Sequence, residues 1–147
     1  MNTEKIIKTL IVKKPLKLDC GKTIKDFPIA YETYGSLNSK KDNAILVFHA
    51  LTGDQFVTGI NPVTNKEGWW SYAVGPDKAI DTNKYFVICS NVIGGCMGSY
   101  GPSHQDPNTQ KTFGANFPVI TKNDMVNAQY NFCLLYTSDA ADETPSV

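Results

Sequence analysis

Six consecutive residues have the types that a backbone-amide site needs. They are His49-Ala50-Leu51-Thr52-Gly53-Asp54, and they follow the apolar run Ala44-Ile45-Leu46-Val47-Phe48. A strand that ends in a His and small residues turns its backbone sharply. Amides freed after such a turn can point into a cleft and stabilise a developing oxyanion. The competing reading is an ordinary strand-end turn with a satisfied His. A second segment, Ile93-Gly94-Gly95-Cys96-Met97-Gly98, contains G-x-C-x-G and also follows an apolar run. That pattern would suit a nucleophile elbow with Cys in place of Ser. An elbow needs a helix directly after the nucleophile, and Gly98-Ser99-Tyr100-Gly101-Pro102 breaks helices. His104 follows too soon to leave room for intervening strands. Cys96 is therefore expected to be an ordinary thiol, in a glycine-rich loop that lets backbone pass close to a neighbour.

Other candidates carry less. Glu32 and Asp54 could form a carboxylate pair, but no spacing brings them together. Trp69-Trp70 reads as core or an edge anchor before it reads as a stacking platform. Lys40-Lys41 reads as a solvated turn. The four cysteines, Cys20, Cys89, Cys96 and Cys133, include no C-x-x-C pair, and the only histidines are His49 and His104, so no metal site is expected. Neither G-x-G-x-x-G nor a Walker Lys is present, so no phosphate cradle is expected either.

These segments need elements to hold them. Residues 1–19 alternate loosely and read as an edge strand ending at Pro15-Leu16-Lys17-Leu18, followed by the turn Cys20-Gly21-Lys22-Thr23. Residues 24–34 read as a strand, with Ile29, Tyr31 and Thr33 on one face and Ala30, Glu32 and Tyr34 on the other. Residues 35–42 are turn-rich. The runs 44–48 and 85–89 are continuously apolar, which predicts strands covered on both faces. Between them, residues 53–66 read as loop and 69–74 as a short helix closed by Gly75-Pro76. Residues 94–116 are rich in Gly, Pro, Ser and Asn and read as a long surface loop. Thr121 or Asn123 could cap a helix through 124–129. Buried-type strands separated by a helix predict an α/β sheet, with ligands beyond the carboxyl ends of its strands.

Composition sets the outer bounds. A chain of 147 residues, 41% hydrophobic and 19% charged, is globular rather than disordered. No apolar run approaches the ~18 residues of a membrane span. Residues 1–8 carry Lys without an apolar stretch, so no secretory leader is expected. Fourteen basic residues balance 14 acidic ones, which gives no reason to expect nucleic acid or a membrane surface as partner. Every basic residue is Lys, so bidentate Arg clamps are unavailable in this chain. With no leader, the cysteines are expected to be reduced thiols in the cytoplasm.

The segments taken in order resemble the homoserine O-acetyltransferase family, acyltransferases of methionine biosynthesis with an α/β-hydrolase fold. The stretches that carry the resemblance include Ile29-Ala30-Tyr31-Glu32-Thr33-Tyr34-Gly35, Phe48-His49-Ala50-Leu51-Thr52-Gly53-Asp54, Gly68-Trp69-Trp70, Ala79-Ile80-Asp81-Thr82 and Asn91-Val92-Ile93-Gly94-Gly95-Cys96-Met97-Gly98-Ser99. Phe117-Pro118-Val119-Ile120-Thr121 and Asp124-Met125-Val126-Asn127-Ala128-Gln129 continue it. The resemblance covers residues 16–132.

It implies the N-terminal part of an α/β-hydrolase fold, truncated before the nucleophile elbow. It implies a ping-pong reaction in which a Ser takes an acyl group from acetyl-CoA and passes it to the hydroxyl of L-homoserine, with a His as base and an Asp orienting it. No G-x-S-x-G occurs here, and the family's Ser, Asp and His fall beyond this sequence, so the chain alone is expected to be inactive. One catalytic element carries over, the oxyanion-hole amide, which maps to Leu51; Thr52 and Gly53 would line the same cleft. The resemblance also implies a homodimer when whole, and no cofactor or metal beyond the acyl-CoA substrate.

The sequence departs from the family in two places. Ser103-His104-Gln105-Asp106 stands where the family usually has Ser-Ser-Ile-Asn. From Cys133 onward the chain reads CLLYTSDAADETPSV, with three acids and no Lys, where the family continues an amphipathic helix. Residues 1–132 are therefore read as the N-terminal portion of the acyltransferase domain and 133–147 as a non-native or divergent tail. Three alternatives stay open on the same residues: a homoserine O-succinyltransferase, an esterase on the same fold, and a non-catalytic binding module.

Overall fold

A computed structural model describes residues 7–139, with side chains as far as Leu134. The strands are β1 (Lys8–Val12), β2 (Leu16–Lys17), β3 (Thr23–Ile24), β4 (Phe27–Tyr34), β5 (Ala44–Val47), β6 (Val74–Gly75), β7 (Ile80–Asp81) and β8 (Phe86–Ser90), followed by the helix α1 (Lys122–Asp139). Four strands form one sheet in the order β1-β4-β8-β5. β4 and β8 run antiparallel with Tyr31 opposite Ser90, and β5 and β8 run parallel with Val47 opposite Cys89. β2 with β3, and β6 with β7, form small two-stranded pairs. The α/β architecture expected from the two apolar runs is present.

The described residues divide into two compact units, one holding 7–9 and 30–91, the other 10–29 and 92–139. In the first, every residue of β8 is buried, as its unbroken apolar run predicts. β5 is less covered than its run predicts: Ala44 is exposed, Ile45 and Leu46 are half-buried, and Phe48 beyond the strand is exposed. β5 stands at the end of the strand order, so its side chains meet a neighbouring strand on one side only. The core of this unit is Val47, Val57, Val74, Val87 and Cys89, with Tyr34, Ile45, Trp70 and Ile80 packed against it. Removal of each such valine from water contributes about 1.5–3 kcal/mol.

The helix expected over 69–74 is absent. Ala73 and Val74 N–H both donate to the Trp70 carbonyl, which closes a single turn. Trp70 N–H then bonds Val57, and Val74–Gly75 pairs in parallel with Ile80–Asp81. So short a helix is marginal unless tertiary packing supports it, and here the backbone partners lie elsewhere.

In the second unit the strand expected over 24–34 breaks at Asp26, whose φ of 47° turns the chain between β3 and β4. The segment 94–116 is more than a surface loop. It wraps Tyr100, whose ring meets Phe27, His104, Phe113 and Phe117 at centroid distances of 5.3 to 6.4 Å. The Tyr100 N–H donates to the Pro28 carbonyl at 2.8 Å, and its own carbonyl accepts from Gly94. A Cβ on Gly101 would lie 2.3 Å from the Gly95 carbonyl oxygen, so backbone passes backbone here as the glycine pattern predicts. His104, which departs from the family pattern, accepts from the Gly101 N–H through Nδ1 and packs on Tyr100.

Thr121 caps α1. Its Oγ1 accepts from the Asp124 N–H at 3.2 Å while the Asp124 carboxylate accepts from the Thr121 N–H at 2.9 Å, the reciprocal bonds of a capping box. Asp124, Ala128, Gln129, Asn131 and Phe132 are its buried residues. The helix continues past Phe132 to Asp139, and residues 140–147 of the expected tail lie outside the described residues.

Candidate active-site turn

β5 delivers the chain to the candidate turn. The Gly53 N–H donates to the Ala50 carbonyl at 2.8 Å, which closes a four-residue turn over 50–53. The His49 ring lies across it. Nδ1 is 2.7 Å from the same Ala50 oxygen, and Nε2 is 3.3 Å from the side-chain nitrogen of Asn91. Asn91 follows β8 directly, is buried, and donates its backbone N–H to Ala30 at 2.7 Å. His49 is thus satisfied, as the competing sequence reading expected, and the same bonds build the turn that the functional reading needs.

Leu51 is at the crest, with 89% of its surface exposed. Neither its N–H nor that of Thr52 meets an acceptor among the described residues. Gly53 sits under the turn: a Cβ there would lie 3.1 Å from the His49 Cβ and 3.3 Å from the Ala50 oxygen. A side chain at 53 would press on the turn, and the His49 side chain or the Ala50 carbonyl would have to give by a few tenths of an ångström.

The other sequence candidates are placed apart from this turn or are structural. Asp54 accepts from the Phe56 N–H through Oδ1 and from the Asn61 side chain through Oδ2, both at 2.9 Å. Glu32 is paired with Lys8 and accepts from the Thr33 N–H. Each carboxylate has its own partners, and the two form no pair, in keeping with the lack of any spacing that would join them. Trp69 and Trp70 stack on one another with centroids 5.7 Å apart. Trp69 Nε1 also donates to the Asp54 carbonyl at 2.9 Å, which anchors the segment after the turn.

Cys96 is exposed, and turns and bends follow it in place of a helix, so the elbow pattern has no elbow geometry. Cys89 is buried beside the turn. Burial, reinforced by the Asp54 charge, pushes its thiol up to about 12, which keeps it protonated and unreactive at neutral pH. Among the described residues no group of three or more His, Cys, Asp or Glu side chains could hold a metal ion, and no helix is long and apolar enough to cross a membrane.

Asn91 is the residue that sequence reasoning missed. The one signal was its position, a polar side chain directly after a buried strand. Its partner lies 42 residues away, so the pairing depends on β5 and β8 lying side by side.

Solved structures share this fold. The crystal structure of homoserine O-acetyltransferase from Bacillus anthracis superposes with a TM-score of 0.76 at 32% identity, covering 91% of this chain and 36% of that one. Esterase E22 superposes with a TM-score of 0.74 at 30% identity, covering 90% of this chain and 38% of that one. Strand order and turn together define part of an α/β-hydrolase-fold protein. No protein-family model matches the chain. Homoserine O-acetyltransferase of Pelagibacter ubique (strain HTCC1062) is 73% identical over 131 residues, covering 89% of this chain and 35% of the relative. That of Methanococcus vannielii is 57% identical over 124 residues, covering 84% of this chain and 25% of the relative. Over the matched residues the sequence is similar to homoserine O-acetyltransferases. The chain spans about a third of the length of the relative from Pelagibacter.

Proposed function

We propose that the whole protein carrying these residues transfers an acetyl group from acetyl-CoA to the hydroxyl of L-homoserine. The observation that carries this reading is the Leu51 N–H, unbonded at the crest of a braced turn directly beyond β5. In this reading Leu51 supplies one oxyanion-hole amide, and Thr52 and Gly53 line the cleft around it. A donor fixed there stabilises the charge that develops on the acyl carbonyl oxygen, both when the nucleophile attacks and when homoserine takes the acyl group. The Ser nucleophile and its His and Asp come from residues beyond this chain, so residues 1–132 by themselves are inactive.

The reading includes a cytoplasmic homodimer with reduced thiols, and acyl-CoA as substrate with no resident cofactor or metal. In this reading residues 133–147 are a non-native or divergent tail. The nucleotide sequence around the Cys133 codon tests that point.

Hydrolysis is the second reading, favoured by the likeness to esterase E22. One assay separates the two. The whole protein is mixed with acetyl-CoA, with and without L-homoserine, and free CoA is followed with a thiol reagent. Transfer predicts CoA release that depends on homoserine and yields O-acetylhomoserine. Release at the same rate without homoserine, with acetate as product, would establish hydrolysis.

A further inference from the structure

We propose that His49 and Asn91 are positioning residues that aim the Leu51 N–H, and that Leu51 rather than Thr52 is for this reason the donor of the turn. The proposal rests on the oxyanion reading of Leu51. The Ala50 carbonyl and the Leu51 N–H belong to one peptide unit. A trans peptide is planar, so its N–H points opposite to its C=O. Fixing the Ala50 oxygen therefore fixes the direction of the Leu51 N–H.

That oxygen is held twice. The Gly53 N–H donates to it at 2.8 Å and His49 Nδ1 at 2.7 Å. A carbonyl oxygen has two lone pairs, and both are engaged. Rotating this peptide would break both bonds. The next peptide, between Leu51 and Thr52, is the central one of the turn. Neither the Leu51 carbonyl nor the Thr52 N–H is bonded among the described residues, so nothing there holds that plane. Two unbonded amides thus differ: the Leu51 N–H is aimed, and the Thr52 N–H is not.

The His49 bond also sets the ring's tautomer. A nitrogen 2.7 Å from a carbonyl oxygen must carry the proton, so Nδ1 is the donor. In the neutral ring Nε2 is then an acceptor, and it faces the Asn91 amide nitrogen at 3.3 Å. Asn91 is itself fixed by its backbone bond to Ala30 and by burial. A chain of bonds runs from the end of β8 through Asn91 and His49 to the Leu51 peptide. Gly53 leaves the space in which the ring and the carbonyl meet.

The test uses the whole protein with three replacements at position 49. His49→Asn places an amide nitrogen where Nδ1 stands, so it can still donate to Ala50. His49→Gln places its amide near the Nε2 position, and His49→Ala has no donor. Single-turnover acylation by acetyl-CoA should fall roughly 10- to 100-fold in His49→Ala and His49→Gln, with the KM for acetyl-CoA unchanged. His49→Asn should restore most of the rate. An equal loss in all three, or a loss confined to KM, overturns the proposal. A parallel variant carries the α-hydroxy analogue of leucine at 51, which replaces the N–H by oxygen and also weakens the Ala50 carbonyl as an acceptor. If this variant keeps its rate, the oxyanion reading itself fails. If it loses rate while His49→Ala does not, the aiming role alone fails. Combined with the analogue, His49→Ala should cost nothing further, because both act through one N–H. The unsubstituted protein gives a readout that no folding defect can obscure: imidazole nitrogen NMR should show neutral His49 protonated on Nδ1, and a ring protonated on Nε2 contradicts the assignment.

Discussion

The Asp19 backbone N–H donates to the Asp124 carboxylate at 2.9 Å, across 105 residues of sequence. The same carboxylate accepts from the Thr121 N–H, and the Thr121 hydroxyl and the Asn123 side chain both donate to the Asp19 carboxylate. Asp124 thus fastens the start of α1 to the segment after β2. Asp124→Ala strips two N–H groups of their acceptor. It should cost about 2–4 kcal/mol by urea unfolding of the whole protein, against about 1 kcal/mol for Thr121→Ala. A smaller loss from Asp124→Ala than from Thr121→Ala would contradict this arrangement.

Acid should loosen the protein through two depressed carboxyls. The Thr121 and Asn123 side chains hold Asp19 below the usual carboxylate range, and the Asn83 and Asp77 N–H groups do the same for Asp81. A carboxyl depressed in the folded state adds stability above its unfolded pKa, near 4, and loses it as pH falls through the folded value. The urea midpoint should therefore drop below about pH 4. Asp81→Asn should flatten part of that fall, and an unchanged acid limb would count against the hydrogen bonds at Asp81.

Thiol chemistry separates the cysteines. Cys20 and Cys96 are exposed, whereas Cys89 is buried and its thiol is pushed up to about 12. Iodoacetamide at pH 8.5, with peptides resolved by mass spectrometry, should label Cys20 and Cys96 and spare Cys89 until denaturant is added. Fast labelling of Cys89 in the folded protein would mean that the core beside β5 is open. If Cys96 outpaces Cys20 many-fold at pH 6, its thiolate is activated, and the case for a catalytic cysteine returns.

Two glycines make a matched comparison. Gly21 and Gly35 both have left-handed φ, at 85° and 75°. A Cβ on Gly21 meets nothing within 4 Å, whereas one on Gly35 would lie 2.3 Å from the Tyr85 carbonyl oxygen. Gly21→Ala should cost about 1–2 kcal/mol from the backbone alone, and Gly35→Ala clearly more. Equal costs by chemical denaturation would show that the chain around Tyr85 yields freely.

What the sequence disclosed follows from the range of each interaction. The run through β8 could be read because a strand covered on both faces has no polar alternation to mislead. The cap at Thr121 could be read because its partners lie within one helical turn. The 69–74 segment misled because Trp69, Trp70, Ala73 and Val74 imitate a helical stripe while Val57 and β7 take their backbone bonds. The 94–116 loop could be placed, but its cluster around Tyr100 could not, since aromatic residues spaced along a glycine-rich loop show no period. The turn at 49–53 was visible as a type of turn. The bond from Asn91 to His49 was not, because it exists only once β5 and β8 are paired.

The central claim is that the Leu51 N–H donates to the reacting oxyanion, and one measurement addresses it directly. The whole protein is made with the α-hydroxy analogue of leucine at position 51, its fold is checked by circular dichroism, and single-turnover acylation by acetyl-CoA is timed. Loss of one oxyanion donor predicts a rate lowered by about 100-fold or more, with the KM for acetyl-CoA little changed. A folded variant that acylates at a near-normal rate would contradict the account.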